Sequence, residues 1–100
     1  MTGEITIAPE GSFVVRVDDV SSPGLIRTSK DNVYHRCRFQ FELEGETRFL
    51  WIYGFQTVIM MIWDCREWWI GREIKIRIKH EQHAKDPQAI MAHVEYRGLA

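Results

Sequence analysis

Cysteine is scarce. Only Cys37 and Cys65 occur in 100 residues, and they lack the C-x-x-C spacing of a zinc or redox site. Both fall within predicted regular elements and read as buried free thiols, as in a reducing compartment. Neither charge sign is in excess: 13 Lys and Arg face 14 Asp and Glu. Any attraction for a polyanion must therefore come from local segregation of charge. Long apolar runs are missing too. The longest, Val58 to Trp63, is far too short to span a bilayer, and Met1 to Ala8 carries Glu4 with no cationic or apolar leader region. A soluble cytoplasmic protein without membrane association is expected.

Catalytic equipment is also lacking. There is no glycine-rich phosphate loop, no nucleophile elbow and no pair of carboxylates in an apolar setting. Asp18 and Asp19 are adjacent, so on a strand they point to opposite faces. His80 and His83 lie in a strand-to-loop H-x-x-H without a helical frame or cysteine partners, so they read as structural rather than metal-binding. His35 lies on an apolar face and reads as a core or rim histidine. A non-enzymatic protein without cofactor or metal is expected.

What is present is alternation. With 45% hydrophobic and 27% charged residues, the chain is the size of one domain, residues 1–100. After the Pro9-Glu10-Gly11 turn signal, Phe13 to Val17 predicts a first strand ending near Val20. Ser21 to Asn32 collects Ser, Pro, Gly, Asp and Asn and predicts a loop of about a dozen residues. The second strand sets Val33, His35, Cys37, Phe39, Phe41 and Leu43 on a core face, with Tyr34, Arg36, Arg38, Gln40, Glu42 and Glu44 on the wet one. A Gly45-Glu46 turn leads into a third strand, Thr47 to Tyr53. Its buried face is ambiguous between Phe49, Trp51 and Tyr53 and the alternate set Arg48, Leu50 and Ile52, with core the commoner use of such aromatics.

Gly54 breaks that strand. FQTVIMMIWDCREWWIG then predicts one helix, with Phe55, Val58, Ile59, Ile62, Arg66 and Trp69 along one side and Met60, Met61, Trp63 and Trp68 spread round the other. Gly71 would end it. Strand four, Glu73 to Glu81, points Ile74, Ile76 and Ile78 inward and Lys75, Arg77 and Lys79 outward. A loop, HEQHAKDPQA, precedes a last strand from Ile90 to Arg97, with Ile90, Ala92, Val94 and Tyr96 alternating with Met91, His93, Glu95 and Arg97.

Three strands, a helix and two more strands is the order of a five-stranded antiparallel oligonucleotide-binding (OB-fold) barrel with one helix between strands three and four. In PEGSFVVRVDDV, TSKDNVYHRCRFQFELEG and WWIGREIKIRIKHEQHAKDPQAIMAHVEYRG, over about residues 9 to 98, the chain resembles small phage and mobile-element proteins related to single-stranded DNA-binding proteins. Many such proteins recruit partners through an acidic C-terminal tail; with Gly98-Leu99-Ala100 as the last residues here, tail-dependent recruitment is not expected. The resemblance implies binding of single-stranded DNA or RNA with little sequence preference, through cations on phosphates and stacking of bases on aromatics. The matching positions are Tyr34, Arg36 and Arg38 on strand two, Arg48 or else Trp51 and Tyr53 on strand three, and Arg27 and Lys30 in the first loop. Lys75, Arg77, Lys79 and Lys85 would extend the cationic track, although outward charges on such strands also serve simply as a solvated face. The alternative is a protein-interaction module of the same fold, such as a mobile-element inhibitor or assembly subunit. It would use Met60, Met61, Trp63 and Trp68, and its plainest form is a homodimer.

Overall fold

The computed structural model describes residues 7–83 and 86–100; it is mainly β, with antiparallel pairing throughout. In chain order the elements are β1 (Gly11–Arg16), β2 (Asp19–Val20), β3 (Gly24–Arg27), β4 (Val33–Leu43), β5 (Glu46–Gly54), α1 (Gln56–Asp64), α2 (Arg66–Trp69), β6 (Glu73–His83) and β7 (Asp86–Leu99). One sheet has the order β1-β6-β7. In the other, β4 is central, with β2 and β3 along one edge and β5 along the opposite edge.

The period-two pattern turns every second side chain of each sheet toward the other sheet. Val15, Ile74, Ile76 and Ile78 from the first sheet meet Phe39, Phe41 and Leu50 from the second in one buried cluster, joined by Ala8, Val17 and Val20. The Gly11–Val20 segment serves both sheets. Its first part pairs with β6; then the Val17 N–H donates to the Arg72 carbonyl at 2.9 Å, and the Asp18 N–H donates to Gln40 of β4 at 2.7 Å. The crossing is closed by Gly71, whose N–H donates to the Val17 carbonyl at 2.7 Å from a left-handed backbone with φ 87°.

Several expectations are corrected. The barrel is not closed: β5 and β7 lie side by side, with no ladder between them among the described residues. The Ser21–Asn32 loop contains β3, because the β4 edge recruits Gly24–Arg27 as a partner despite the surrounding turn formers. Counting β2 and β3, the helical segment follows the fifth strand rather than the third. The tight turn is Glu44-Gly45, both left-handed (φ 53° and 79°), which is the two-residue geometry that matches strand twist. The expected loop over residues 80–89 is mostly a hairpin arm, since β6 runs to His83 and β7 starts at Asp86. A register shift at Gln82/His83 accommodates Pro87, which has no N–H to give to a ladder.

The single helix is two. The backbone breaks at Cys65 (φ −98°, ψ 19°), which re-aims the following turn. Ile59 is buried, and Ile62, Trp63 and Trp69 pack on the core, so Trp63 is an inward residue rather than an exposed one. Phe55 and Val58, expected inward, are 83% and 47% exposed. In the last strand Ile90 and Tyr96 are exposed, while Ala92 and Val94 pack on the core. Cys37 is buried, and burial pushes its thiol from 9.0 up to about 11. Cys65, at the break between the two helices, is exposed, contrary to expectation. No helix among the described residues is long and apolar enough to cross a membrane.

Candidate nucleic-acid interface

The outer face of the β4–β5 pair is where the structure gathers arginines and aromatics. The two-residue turn fixes Leu43 opposite Glu46, and every later pair follows: Gln40 opposite Phe49, Phe39 opposite Leu50, Arg38 opposite Trp51, Arg36 opposite Tyr53. Since Phe39 and Leu50 are core, the neighbouring pairs must point outward. Phe49, Trp51 and Tyr53 are therefore surface residues, exposed by 36%, 39% and 52%.

Each arginine leans one step along the ladder onto the diagonal ring. The Arg36 guanidinium lies 4.2 Å from the centre of Trp51, and that of Arg38 lies 4.2 Å from Phe49 and 5.5 Å from Trp51. The result is a row in which cations and rings alternate, each ring face carrying a planar cation. Arg38 is held from behind. Its backbone N–H donates to Ser21 Oγ at 2.8 Å, and its carbonyl accepts from the Ser21 N–H at 2.9 Å. The aromatic row forms one wall of a cleft of about 260 Å³ whose other wall is Met91–Val94 of β7.

At the far end of the same strands, Tyr34 is exposed and pairs with Ile26, next to the turn that carries Lys30. In that turn Arg27 forms an ion pair with Asp31 at 2.6 Å, and Asn32 N–H donates to Thr28 Oγ1 at 3.2 Å. Tyr34, Arg36, Arg38, Trp51 and Tyr53 thus share a face, with Arg27 and Lys30 at its end.

No family model, curated protein or solved structure matches the chain.

Other expected site residues lie elsewhere. Arg48 alternates with Leu50 and Ile52 on the core side of β5, half-buried, so it cannot share a face with Trp51. Lys75, Arg77 and Lys79 project from the outer face of the other sheet, with the whole core between them and Arg36. There they are partly neutralised: Glu95 of β7 lies opposite Arg77, 3.4 Å from Lys79 and 4.0 Å from both His93 and Arg97. They form a separate patch on the other sheet and not an extension of the arginine row. Lys85 lies outside the described residues. His80 ties down the segment before β1, with Nε2 2.6 Å from the Ala8 carbonyl oxygen and Nδ1 3.4 Å from the Glu10 carboxylate. Among the described residues no three His, Cys, Asp or Glu side chains are grouped to hold a metal ion.

Phe49, Met91 and His93 belong to the cleft and were not anticipated. Phe49 was within reach of the sequence: the register set by a two-residue Glu44-Gly45 turn puts Leu50 opposite Phe39 and so turns the Phe49, Trp51 and Tyr53 face outward. Met91 and His93 join only through the approach of β7 to β5, for which no local pattern exists.

Proposed function

We propose that the protein binds single-stranded nucleic acid along the outer face of β4–β5, as an opened relative of the oligonucleotide-binding barrel. The observation that carries this reading is the exposed row of Arg36, Trp51, Arg38 and Phe49 beside the β5–β7 cleft. The strand arrangement supports it: a first segment shared between two sheets, a meander through β4 and β5, and β7 brought back beside β5, with the cleft between them.

The chemistry follows from the row. A ring face that carries a guanidinium in the free protein can exchange it for a base, since both are planar and the ring tolerates any base. The released arginine then has its fork available for a phosphate oxygen. Bases stack on Trp51, Phe49 and Tyr53 while Arg36 and Arg38 follow the backbone, and because no base edge is read, sequence preference is small. The nearly neutral net charge keeps the attraction local to this face.

The test is an anisotropy titration of a labelled single-stranded oligonucleotide at low and moderate salt, with duplex as control. The expected result is salt-sensitive binding that prefers the single strand. Replacing Arg36 and Arg38 together by Ala should weaken it and reduce the log–log salt slope by roughly 1 to 2, because about 0.7 counterion is released per phosphate contact on a single strand. An unchanged affinity and slope in the double variant would remove this face from consideration.

A further inference from the structure

A second surface is independent of the arginine row. Along the outside of α1 and α2, Phe55 is 83% exposed, Met61 64%, and Val58 and Trp68 47% each. α1 carries one ionisable residue, Asp64, at its last position. The two nearest arginines are folded back onto the helical segment. Arg66 donates to the Trp63 carbonyl at 3.0 Å and covers the Trp63 ring at 4.3 Å; Arg72 donates to the Trp68 carbonyl at 3.0 Å and covers the Trp68 ring at 3.6 Å. Asp64 and Glu67 are the exposed carboxylates beside the stripe, which is otherwise apolar. Such a patch amounts to on the order of 600 Å², at the top of the range that monomeric proteins expose.

Its shape has two parts. Phe55 stands out at the N-terminal end of α1, whereas the C-terminal end opens into an apolar hollow of about 350 Å³ lined by Met61, Ile62, Cys65, Trp68 and Trp69. Knob and hollow are separated by roughly ten residues, about 15 Å along a helix. We propose that this face is covered by a second copy of the chain, the two α1 helices pairing antiparallel about a two-fold axis. An axis at Met61 and its neighbour Met60 puts Phe55 of each copy into the hollow of the other, which is the self-complementarity a two-fold contact requires. Two such faces bury on the order of 1,200 Å², the lower bound of a standard stable interface. α1 packs its Ile59, Ile62 and Trp63 side on the core, so the opposite side is the one available for pairing.

Sedimentation velocity of the full chain over micromolar to high micromolar concentration reads the outcome directly. The expected mass is twice 11.8 kDa at the upper end. Met61→Glu should shift the dissociation constant at least about tenfold toward monomer, as for a central interface residue, with an unchanged circular dichroism spectrum. Met61→Cys in a Cys65→Ser background should form an intermolecular disulfide on mild oxidation, because the axis brings the two positions together. Cys65 of the wild-type chain, roughly 12 Å from its mate along antiparallel helices, should not. A monomer at every concentration overturns the proposal, and so does a dimer that Met61→Glu leaves intact or that Met61→Cys fails to cross-link. The oligonucleotide titration on Met61→Glu separates this surface from the other, since a monomeric variant should keep the affinity of each arginine row for a short strand.

Discussion

Trp51→Ala is the change that most sharply separates a stacking surface from a structural one. In the free protein Trp51 is 39% exposed, and its companions on the outer face are the guanidiniums of Arg36 at 4.2 Å and Arg38 at 5.5 Å. Exposed contacts of this kind contribute about 0.5 to 1 kcal/mol each, so truncation should lower folding stability by only about 1 to 2 kcal/mol. A buried tryptophan removed from a core would cost about 3 to 5 kcal/mol. The loss in binding should be larger than the loss in stability would suggest. One stacked base contributes about 1 to 3 kcal/mol, and since about 1.4 kcal/mol is tenfold, the affinity for a single strand should fall roughly 5- to 140-fold. Trp51→Phe should keep most of it, because a smaller ring still offers a face. Two assays suffice: urea unfolding for stability, and anisotropy with intrinsic fluorescence for binding. Stacking on Trp51 should quench part of the emission, and that quench should vanish in Trp51→Ala while Trp63, Trp68 and Trp69 continue to emit. An affinity within about twofold of wild type would refute the reasoning, as would a stability loss of core size, because either one means that the ring is not a platform for bases.

Two other outcomes follow from the fold. Cys65 is exposed and Cys37 is buried with its thiol raised from 9.0 to about 11, so one thiol should react with a thiol reagent in the native protein and two after unfolding. Because the unfolded chain gives up the Cys37 proton first, the contribution of that group to stability is intact below pH 9 and declines as the pH rises toward 11; Cys37→Ala should flatten this part of the stability profile. Gly45→Ala should destabilise the β4–β5 hairpin by about 1 to 2 kcal/mol, since φ 79° crowds a Cβ against the backbone. A change in the urea midpoint too small to measure would show that the turn relaxes instead.

How far the sequence discloses this arrangement depends on the range of the interaction involved. β4 is legible residue by residue because Cys37, Phe39 and Phe41 alternate cleanly with Arg36, Arg38 and Gln40, and burial on one face leaves no choice of register. β6 is legible for the same reason in Ile74, Ile76 and Ile78. β5 has apolar residues on both faces, and the local pattern cannot say whether Leu50 or Trp51 is inside; the hairpin register decides, and it depends on reading the turn as Glu44-Gly45 rather than Gly45-Glu46. β3 was hidden because Gly24–Arg27 has little strand character of its own and is ordered by the edge of β4. The split at Cys65 has no glycine or proline to announce it, and Phe55 does not follow the helical face because it is the extended N-cap (φ −70°, ψ 152°). The cleft wall from Met91 to Val94 depends wholly on tertiary approach.

The sharing of Gly11–Val20 between the two sheets has a consequence for how the chain is assembled. β2, β3, β4 and β5 are neighbours in sequence and can zip together through short turns. Among the described residues β1 is the first strand, and its ladder partner is the sixth. Closing so large a loop costs entropy before any ladder bond rewards it, which puts the second sheet late on the folding route and makes the overall rate that of a high-contact-order protein. Until then Ile74, Ile76 and Ile78 lack their cover, and of the groups that pack on Phe39 only those ahead of β6, such as Trp69 at 4.9 Å, are at hand. The aromatic and arginine face, by contrast, belongs wholly to the early meander, so the surface proposed to hold nucleic acid takes shape before the core behind it is sealed.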